Sequence, residues 1–293
     1  MKPEKRPRPV QKRRRANSMN QKNTRLLFDE LGQWLNSAGN VGIAVSGGVD
    51  STTLAIALNR QSSDQCSVYH AVSPAVPKAA SNRLSMIAEK EDWKFEVVDA
   101  GEFEDADYLR NPVNRCYFCK HNLYETIAGI GIDEQLLLSG TNLDDMEDFR
   151  PGLKAASEFE VRHPYVELGI NKNAVRSLAK FLGYEDLAEL PASPCLSSRI
   201  ETGIPVDAET LLIVDQVEQF LNSELSASTV RCRVRESGLV VELSEECLSL
   251  LDASQRRLLS EHIRTISSPL GSNFPVEFAS YRKGSAFIQY RVV

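Results

Sequence analysis

Six consecutive residues, Ser46-Gly47-Gly48-Val49-Asp50-Ser51, have the types needed to hold an anion. The two glycines let backbone N–H groups turn toward a ligand with no Cβ in the way. Ser46 and Ser51 add hydroxyl donors. Asp50 is the odd member, because a carboxylate repels a phosphate. It makes sense if it works through a bound Mg²⁺ or through the loop's own amides. No lysine follows the glycines, so the pattern G-x-x-x-x-G-K-[ST] is absent. Such a loop suits the release of pyrophosphate better than the transfer of a γ-phosphate.

A second set is made of thiols. Cys116-Tyr117-Phe118-Cys119 places two cysteines at a spacing that lets both reach one metal centre. Cys195 lies far along the chain in Pro194-Cys195-Leu196-Ser197-Ser198-Arg199, on a proline-framed loop of the kind that presents reactive groups. Three cysteines suit a 4Fe–4S cube with one iron left open, where a sulfide can sit. Zinc held by the same three with His121, a redox C-x-x-C pair, or simple buried cysteines are rival readings. The redox pair leaves Cys195 unexplained, and His121 stands two residues past Cys119, a poor fit to zinc spacing. Cys66, Cys232 and Cys247 fall in expected strands or helices and read as core.

These residues need elements to position them. Residues 41–45 read as a buried strand running into the glycine loop, and 51–59 as the helix that follows. Strands are expected at 66–72, 95–98 and 135–138, alternating with helices at 79–93 and 120–129. The cysteine pair stands just before the last of these. Strands alternating with helices imply a doubly wound parallel sheet, an α/β fold whose ligands bind beyond the carboxyl ends of the strands. Residues 141–170 read as irregular, 172–182 as a helix stopped by Gly183, and 190–206 as a loop. A smaller C-terminal α+β domain then begins near 204–206. It has helices at 207–221 and 248–266, a hairpin at 230–235 and 239–243, and strands near 275–279 and 286–292. The expected division is a tail at 1–21, an α/β domain at 22–204 and the α+β domain at 205–293.

Composition fits this division. The chain has 293 residues, 42% hydrophobic and 25% charged, and six cysteines. No apolar run of membrane-spanning length and no secretory h-region is present, so a reducing cytoplasm is the expected compartment. Ten Lys or Arg and one Glu fall in residues 1–25, which leaves 24 basic and 39 acidic residues in the body, a net −15. The run Lys12-Arg13-Arg14-Arg15 reads as part of a disordered solvated tail, and Met19 offers an alternative start. The acidic body makes nucleic acid an unexpected partner, since no basic stripe with interleaved aromatics is present.

SGGVDS after a buried strand resembles the PP-loop of the N-type ATP pyrophosphatases. Further motifs sharpen the resemblance. These are Gly140-Thr141-Asn142-Leu143-Asp144-Asp145 with Asp148-Phe149-Arg150-Pro151-Gly152, then Pro194-Cys195-Leu196-Ser197-Ser198-Arg199-Ile200, then Tyr281-Arg282-Lys283-Gly284-Ser285. In this order they resemble the LarE sulfur transferases, from about residue 22 to the end. The resemblance implies a PP-loop domain of the adenine nucleotide α-hydrolase type, ATP as cosubstrate, and a pyridinium biscarboxylic acid mononucleotide as substrate. It further implies adenylation of a carboxylate with loss of pyrophosphate, attack by sulfur with loss of AMP, and a homo-oligomer. In one branch of the family the cysteine matching Cys195 gives up its own sulfur, and the C-x-x-C pair is missing. Cys116 and Cys119 align this chain with the other branch, which carries a 4Fe–4S cluster and draws on a separate sulfide donor.

Under this reading Cys116, Cys119 and Cys195 ligate the cluster, and Ser46, Gly47, Gly48, Asp50 and Ser51 hold the nucleotide. Asp145 and Glu147, in the acidic run that includes Asp144 and Asp148, are candidates for Mg²⁺. Arg199, Arg231 and Arg233 are candidate clamps for substrate phosphate and carboxylates, because guanidinium forks match both. Arg231 and Arg233 alternate on one strand and so face one side. The alternatives are a cluster-dependent tRNA thiolation enzyme of the same superfamily, for which the basic tail would bind RNA, and a non-catalytic sulfur carrier.

Overall fold

The computed structural model describes residues 9–130, 135–147, 150–192, 194–271 and 274–287, with side chains from residue 23 onward. Asp148, Phe149, Ser193 and most of the strand expected at 286–292 lie outside the described residues. The described helices are α1 Pro9–Ala38, α2 Val49–Gln61, α3 Lys78–Lys90, α4 Ala106–Leu109, α5 Arg115–Ile130, α6 Gly152–Glu158, α7 Pro164–Glu167, α8 Lys172–Phe181, α9 Glu185–Glu189, α10 Ala208–Glu224, α11 Glu245–Leu250 and α12 Ala253–Ile266. The strands are β1 Val41–Ala44, β2 Cys66–Ala71, β3 Phe95–Val98, β4 Leu136–Ser139, β5 Val230–Arg235, β6 Gly238–Leu243 and β7 Val276–Ser280. Helix α1 begins inside the segment expected as a tail. Among the described residues no helix is long and apolar enough to cross a membrane.

The first four strands form a parallel sheet in the order β3-β2-β1-β4. Val41 pairs with Cys66 on one side and Leu136 on the other. Strand alternation divides the side chains between two cores. Val41, Ile43, Val68 and Leu138 face a core built with α1, α2, α3 and α8. Tyr69, Val98 and Leu137 face the other, built with α5 and α6. Helices on both faces make this the expected doubly wound α/β sheet. Its strand order reverses direction between β1 and β4, and the carboxyl ends of strands at such a switch point are where these sheets bind ligands.

The C-terminal part is a three-stranded sheet in the order β5-β6-β7, antiparallel then parallel, covered by α10, α11 and α12. Its core is not self-contained. Ala75, Tyr108 and Leu196 belong to it, with Phe118, Cys119 and Cys195 packed against it. The seam is also tied by backbone bonds, Gly203 N to Asn111 O at 3.0 Å and Val206 N to Leu109 O at 2.9 Å.

Several expected boundaries move. The helix expected at 120–129 begins five residues earlier, at Arg115, so the cysteine pair lies inside α5 and not before it. The helix expected at 248–266 is two helices. Asp252 caps the second by accepting from Gln255 N, and the Gln255 side chain accepts from Asp252 N, a reciprocal box that starts a new helix there. The stretch 141–170 holds α6, α7 and a short 3₁₀ turn where irregular chain was expected. The stop after α8 is as expected: Gly183 has φ +84°, the left-handed cap that glycine adopts without strain.

Candidate functional site

The chain from Val45 to Ser51 leaves β1 and turns at once into α2. Gly47 makes the turn with φ +75°. A Cβ there would lie 2.8 Å from Ala80 O and 2.9 Å from Ala80 Cβ, so the position needs glycine for space as well as conformation. Arg83 of α3 donates to Gly47 O at 2.7 Å and holds that carbonyl toward α3. Ser51 Oγ accepts from Ser46 N at 3.1 Å and lies 3.3 Å from Ser46 Oγ, which closes the loop on itself. Gly48 is the N-cap of α2 and supplies no side-chain cap. The first amides of α2 therefore have no side-chain acceptor at the cap, at the end where the helix dipole favours an anion.

Gly140, just after β4, packs against the same helix start. A Cβ on it would lie 2.4 Å from Ser51 N and 2.5 Å from Ser51 Cα. This approach brings Asn142 to the loop. Asn142 Nδ2 donates to Asp50 Oδ1 at 3.2 Å, and the ammonium of Lys172 contacts Asp50 Oδ2. Tyr165 Oη donates to Asp50 O at 3.3 Å. Lys172 stands at the start of α8, and the sequence reading did not single it out. Its signal was a lysine directly after the cap Asn171, a place where helix electrostatics favours an acid.

The acidic run after β4 folds back on itself. Asp145 accepts from Asn142 N at 3.1 Å and pairs with Arg150. Asp144 accepts from Lys172 N at 3.0 Å. Glu147 is exposed. Asp145, expected as a Mg²⁺ candidate, thus already has a cation and an amide on its carboxylate.

Cys119 and Cys195 pack against the C-terminal core, and Cys116 feels the charge of Cys195. Cys116 and Cys119 are three apart on α5 and share a face with Lys120, while Cys195 opens the 3₁₀ turn Leu196–Arg199. Leu196 N donates to Ala75 O at 2.8 Å and ties that turn to the loop after β2. Asn111, in left-handed conformation at φ 55°, donates from Nδ2 to Glu201 O and Ile204 O, both at 2.8 Å, and accepts from Arg115 at the start of α5. It pins the cysteine helix to the seam.

Burial drives the Cys119 thiol up to about 12, with Cys195, Glu102 and Cys116 adding to it against the ammonium of Lys120. Burial also raises Cys116, as does Cys195. Each pair of thiols therefore feels the other's charge. Among the described residues, no three His, Cys, Asp or Glu side chains close on the position of a single metal ion. Thiol donors are the ligand chemistry of an iron–sulfur group, and His121 stands apart from the three cysteines. It lies on another face of α5, with Nδ1 3.4 Å from Glu158 and its ring against Tyr117 and Phe159.

No family model matches the chain. Curated relatives do. An uncharacterized protein of Synechocystis sp. is 34% identical over 221 residues, 75% of this chain and 82% of that protein. An uncharacterized protein of Methanocaldococcus jannaschii is 26% identical over 215 residues, 73% of this chain and 81% of that one. The pyridinium-3,5-bisthiocarboxylic acid mononucleotide synthase of Lactiplantibacillus plantarum is 29% identical over 244 residues, 81% of this chain and 88% of the synthase. The chain belongs to one family with the Synechocystis protein.

The three arginines expected as ligand clamps have different surroundings. Arg199 is 2% exposed. It donates to both carboxylate oxygens of Glu218 at 2.9 Å, and to Pro194 O at 2.7 Å and Cys195 O at 3.1 Å. Burial works to lower its guanidinium and Glu218 outweighs it. Arg233, also buried, donates to Glu242 at 2.9 Å and Ser198 O at 3.0 Å. Both are occupied within the fold, and Arg199 shapes the Cys195 loop directly. Arg231 is half-buried and, among the described residues, donates to the carbonyls of Val230 and Ala192, both at 2.6 Å. Burial lowers its guanidinium, and Arg199 and Arg233 lower it further. Of the three it is the one whose surroundings favour an incoming anion.

Proposed function

We propose that this chain is an ATP-dependent sulfur transferase acting on pyridinium-3,5-biscarboxylic acid mononucleotide, which it converts to the bisthiocarboxylic acid for a nickel-pincer nucleotide cofactor. One observation carries the reading. The glycine loop and uncapped start of α2 stand at the sheet's switch point, and the cysteine seam is tied to the loop that leaves the neighbouring strand β2. That the Lactiplantibacillus plantarum relative is a pyridinium-3,5-bisthiocarboxylic acid mononucleotide synthase supports the choice of product.

On this reading the amides of Gly48 and the first turn of α2 hold the phosphates of ATP. A substrate carboxylate attacks the α-phosphate, the acyl adenylate forms and pyrophosphate leaves. A sulfur nucleophile then attacks the acyl carbon, and AMP leaves with the C–O bond electrons. Arg231 holds the substrate's phosphate. Arg199 and Glu218 keep the Cys195 turn in shape. Cys116, Cys119 and Cys195 would hold a 4Fe–4S cluster, which when bound supplies an open coordination position for sulfide from a separate donor. Mg²⁺ accompanies the nucleotide, and the protein works in the cytoplasm as a homo-oligomer.

The test is iron and acid-labile sulfide per chain after strictly anaerobic preparation, for wild type and Cys116→Ala, together with pyrophosphate release on adding ATP and substrate. About four of each per chain are expected in wild type, lost in the variant, with turnover exceeding one thiolation per chain. Negligible iron with a single thiolation per chain would make Cys195 the donor. No pyrophosphate under any condition would sink the enzyme reading.

A further inference from the structure

Lys172 opens α8 beside the phosphate loop. Its ammonium contacts Asp50 Oδ2, while Asn142 donates to Oδ1 at 3.2 Å. Its own backbone N–H donates to Asp144 at 3.0 Å, and Asn171 caps the helix by accepting from Ala174 N at 3.0 Å. Helix stability does not call for a cation in this position. The N-terminal end of a helix is its positive end and favours acids, yet the first turn of α8 holds none. The partner that does call for a cation is Asp50, 122 residues away in the chain. Asp50 lies in the first turn of α2, so an unscreened carboxylate there would repel any phosphate brought to the loop.

The pair is open to exchange. The side chains of Lys172 and Asp50 are 31% and 26% exposed. A part-exposed ion pair is weakly held and gives way to a stronger competitor. A divalent cation has twice the charge and prefers carboxylate oxygen.

We propose that Lys172 is the resident countercharge of Asp50. It keeps the loop receptive to a nucleotide in the absence of metal and cedes Asp50 to Mg²⁺ when the metal–nucleotide complex binds. Lys172 is thus a positioning residue for the nucleotide step, acting through Asp50. The inference rests on the nucleotide reading of the loop and adds to it a defined competition between ammonium and metal.

ATP binding by calorimetry, in EDTA and across a Mg²⁺ titration, tests it on the full chain. The proteins are wild type, Lys172→Met, Lys172→Arg and Lys172→Met/Asp50→Asn, each checked by thermal unfolding. Wild type binds ATP in EDTA, and Mg²⁺ tightens the binding. Lys172→Met loses about tenfold or more of its affinity in EDTA, because Asp50 is then a bare anion at the loop. Its half-saturating Mg²⁺ concentration falls, because the carboxylate is free. Lys172→Arg keeps wild-type behaviour, and the double variant regains metal-free affinity. Unchanged EDTA affinity and Mg²⁺ dependence in Lys172→Met would overturn the inference and leave the nucleotide reading standing. So would an equal loss with and without Mg²⁺ that Asp50→Asn does not rescue, since that marks a merely structural role. Wild type that binds no ATP in either condition would overturn the nucleotide reading itself.

Discussion

Two ion pairs flank the chemistry of this chain, and they are built to opposite ends. Arg199 and Glu218, at the cysteine seam, are 2% and 9% exposed in their side chains, and each oxygen of Glu218 accepts from the guanidinium. Glu218 Oε1 also accepts from Cys232 N at 2.8 Å. Every part of this pair has a partner inside the fold. Lys172 and Asp50, at the phosphate loop, make one contact with the help of Asn142 and leave a quarter or more of each side chain in solvent. A buried pair fixes geometry and cannot be borrowed by a ligand without leaving a charge alone in the interior. A half-exposed pair fixes little and is available. The seam is therefore the rigid part of the site and the loop the exchangeable part.

The sharpest way to break this contrast is at Arg199. Arg199→Leu leaves Glu218 buried without its cation, and unfolding free energy is expected to fall by about 3–5 kcal/mol. Denaturant melts measure it. Arg199→Leu with Glu218→Met removes both charges and is expected to recover most of the loss, because matched apolar replacement of a buried pair is close to neutral. A single variant as stable as wild type would mean that the pair is not the seam's anchor.

Gly140→Ala tests the loop side by steric means. Its Cβ would press on the Ser51 amide at 2.4 Å, a backbone atom that cannot swing aside. A loss of about 1–3 kcal/mol is expected from the forced shift. Weaker ATP binding should accompany it, since the same contact sets the start of α2. Loss of stability with unchanged nucleotide affinity would separate the packing from the site.

Lys172→Met sharpens the contrast from the other direction. A part-exposed pair contributes little, so stability is expected to change by under about 1 kcal/mol. The same substitution is expected to alter the metal dependence of nucleotide binding. A loss as large as that of Arg199→Leu would place both pairs in one class and remove the distinction.

What was legible in the sequence follows the same division. The loop Ser46–Ser51 was visible because its chemistry is local: six adjacent residues at the junction of a strand and a helix. The sheet was visible because apolar runs alternate with helical spacing. The cap at Gly183 was visible for the same local reason. The fate of Arg199 and Arg233 was not, because their partners Glu218 and Glu242 come from another helix and another strand. A guanidinium has the same composition whether it waits for a ligand or is consumed by the fold. Lys172 was missed for the converse reason, since its partner lies 122 residues upstream. The start of α5 at Arg115 was hidden because Asn111, which holds Arg115, is itself anchored to Glu201 and Ile204 far along the chain.

A pH-dependent effect tests how tightly the loop is tied to the core beneath it. His70, at the end of β2, is 1% exposed. Its Nδ1 lies 3.0 Å from Val45 O and its Nε2 2.9 Å from Ser81 Oγ. With a carbonyl on Nδ1, that nitrogen carries the proton and donates, and Nε2 accepts from the hydroxyl. Burial holds this imidazole below its ordinary value, as it does His163. The unfolded chain therefore takes up the proton first. Stability is intact above about pH 6.5, falls as pH drops below it, and levels off once the folded state also protonates. The slope for one group cannot exceed about 1.4 kcal/mol per pH unit. His70→Gln is expected to be less stable at pH 7.5 by about 1 kcal/mol, from the lost bonds. Its urea midpoint should then decline less between pH 7 and 5, with His163 supplying what slope remains. An undiminished decline would mean that His70 is not the group, and that the carbonyl before the phosphate loop is held by packing alone.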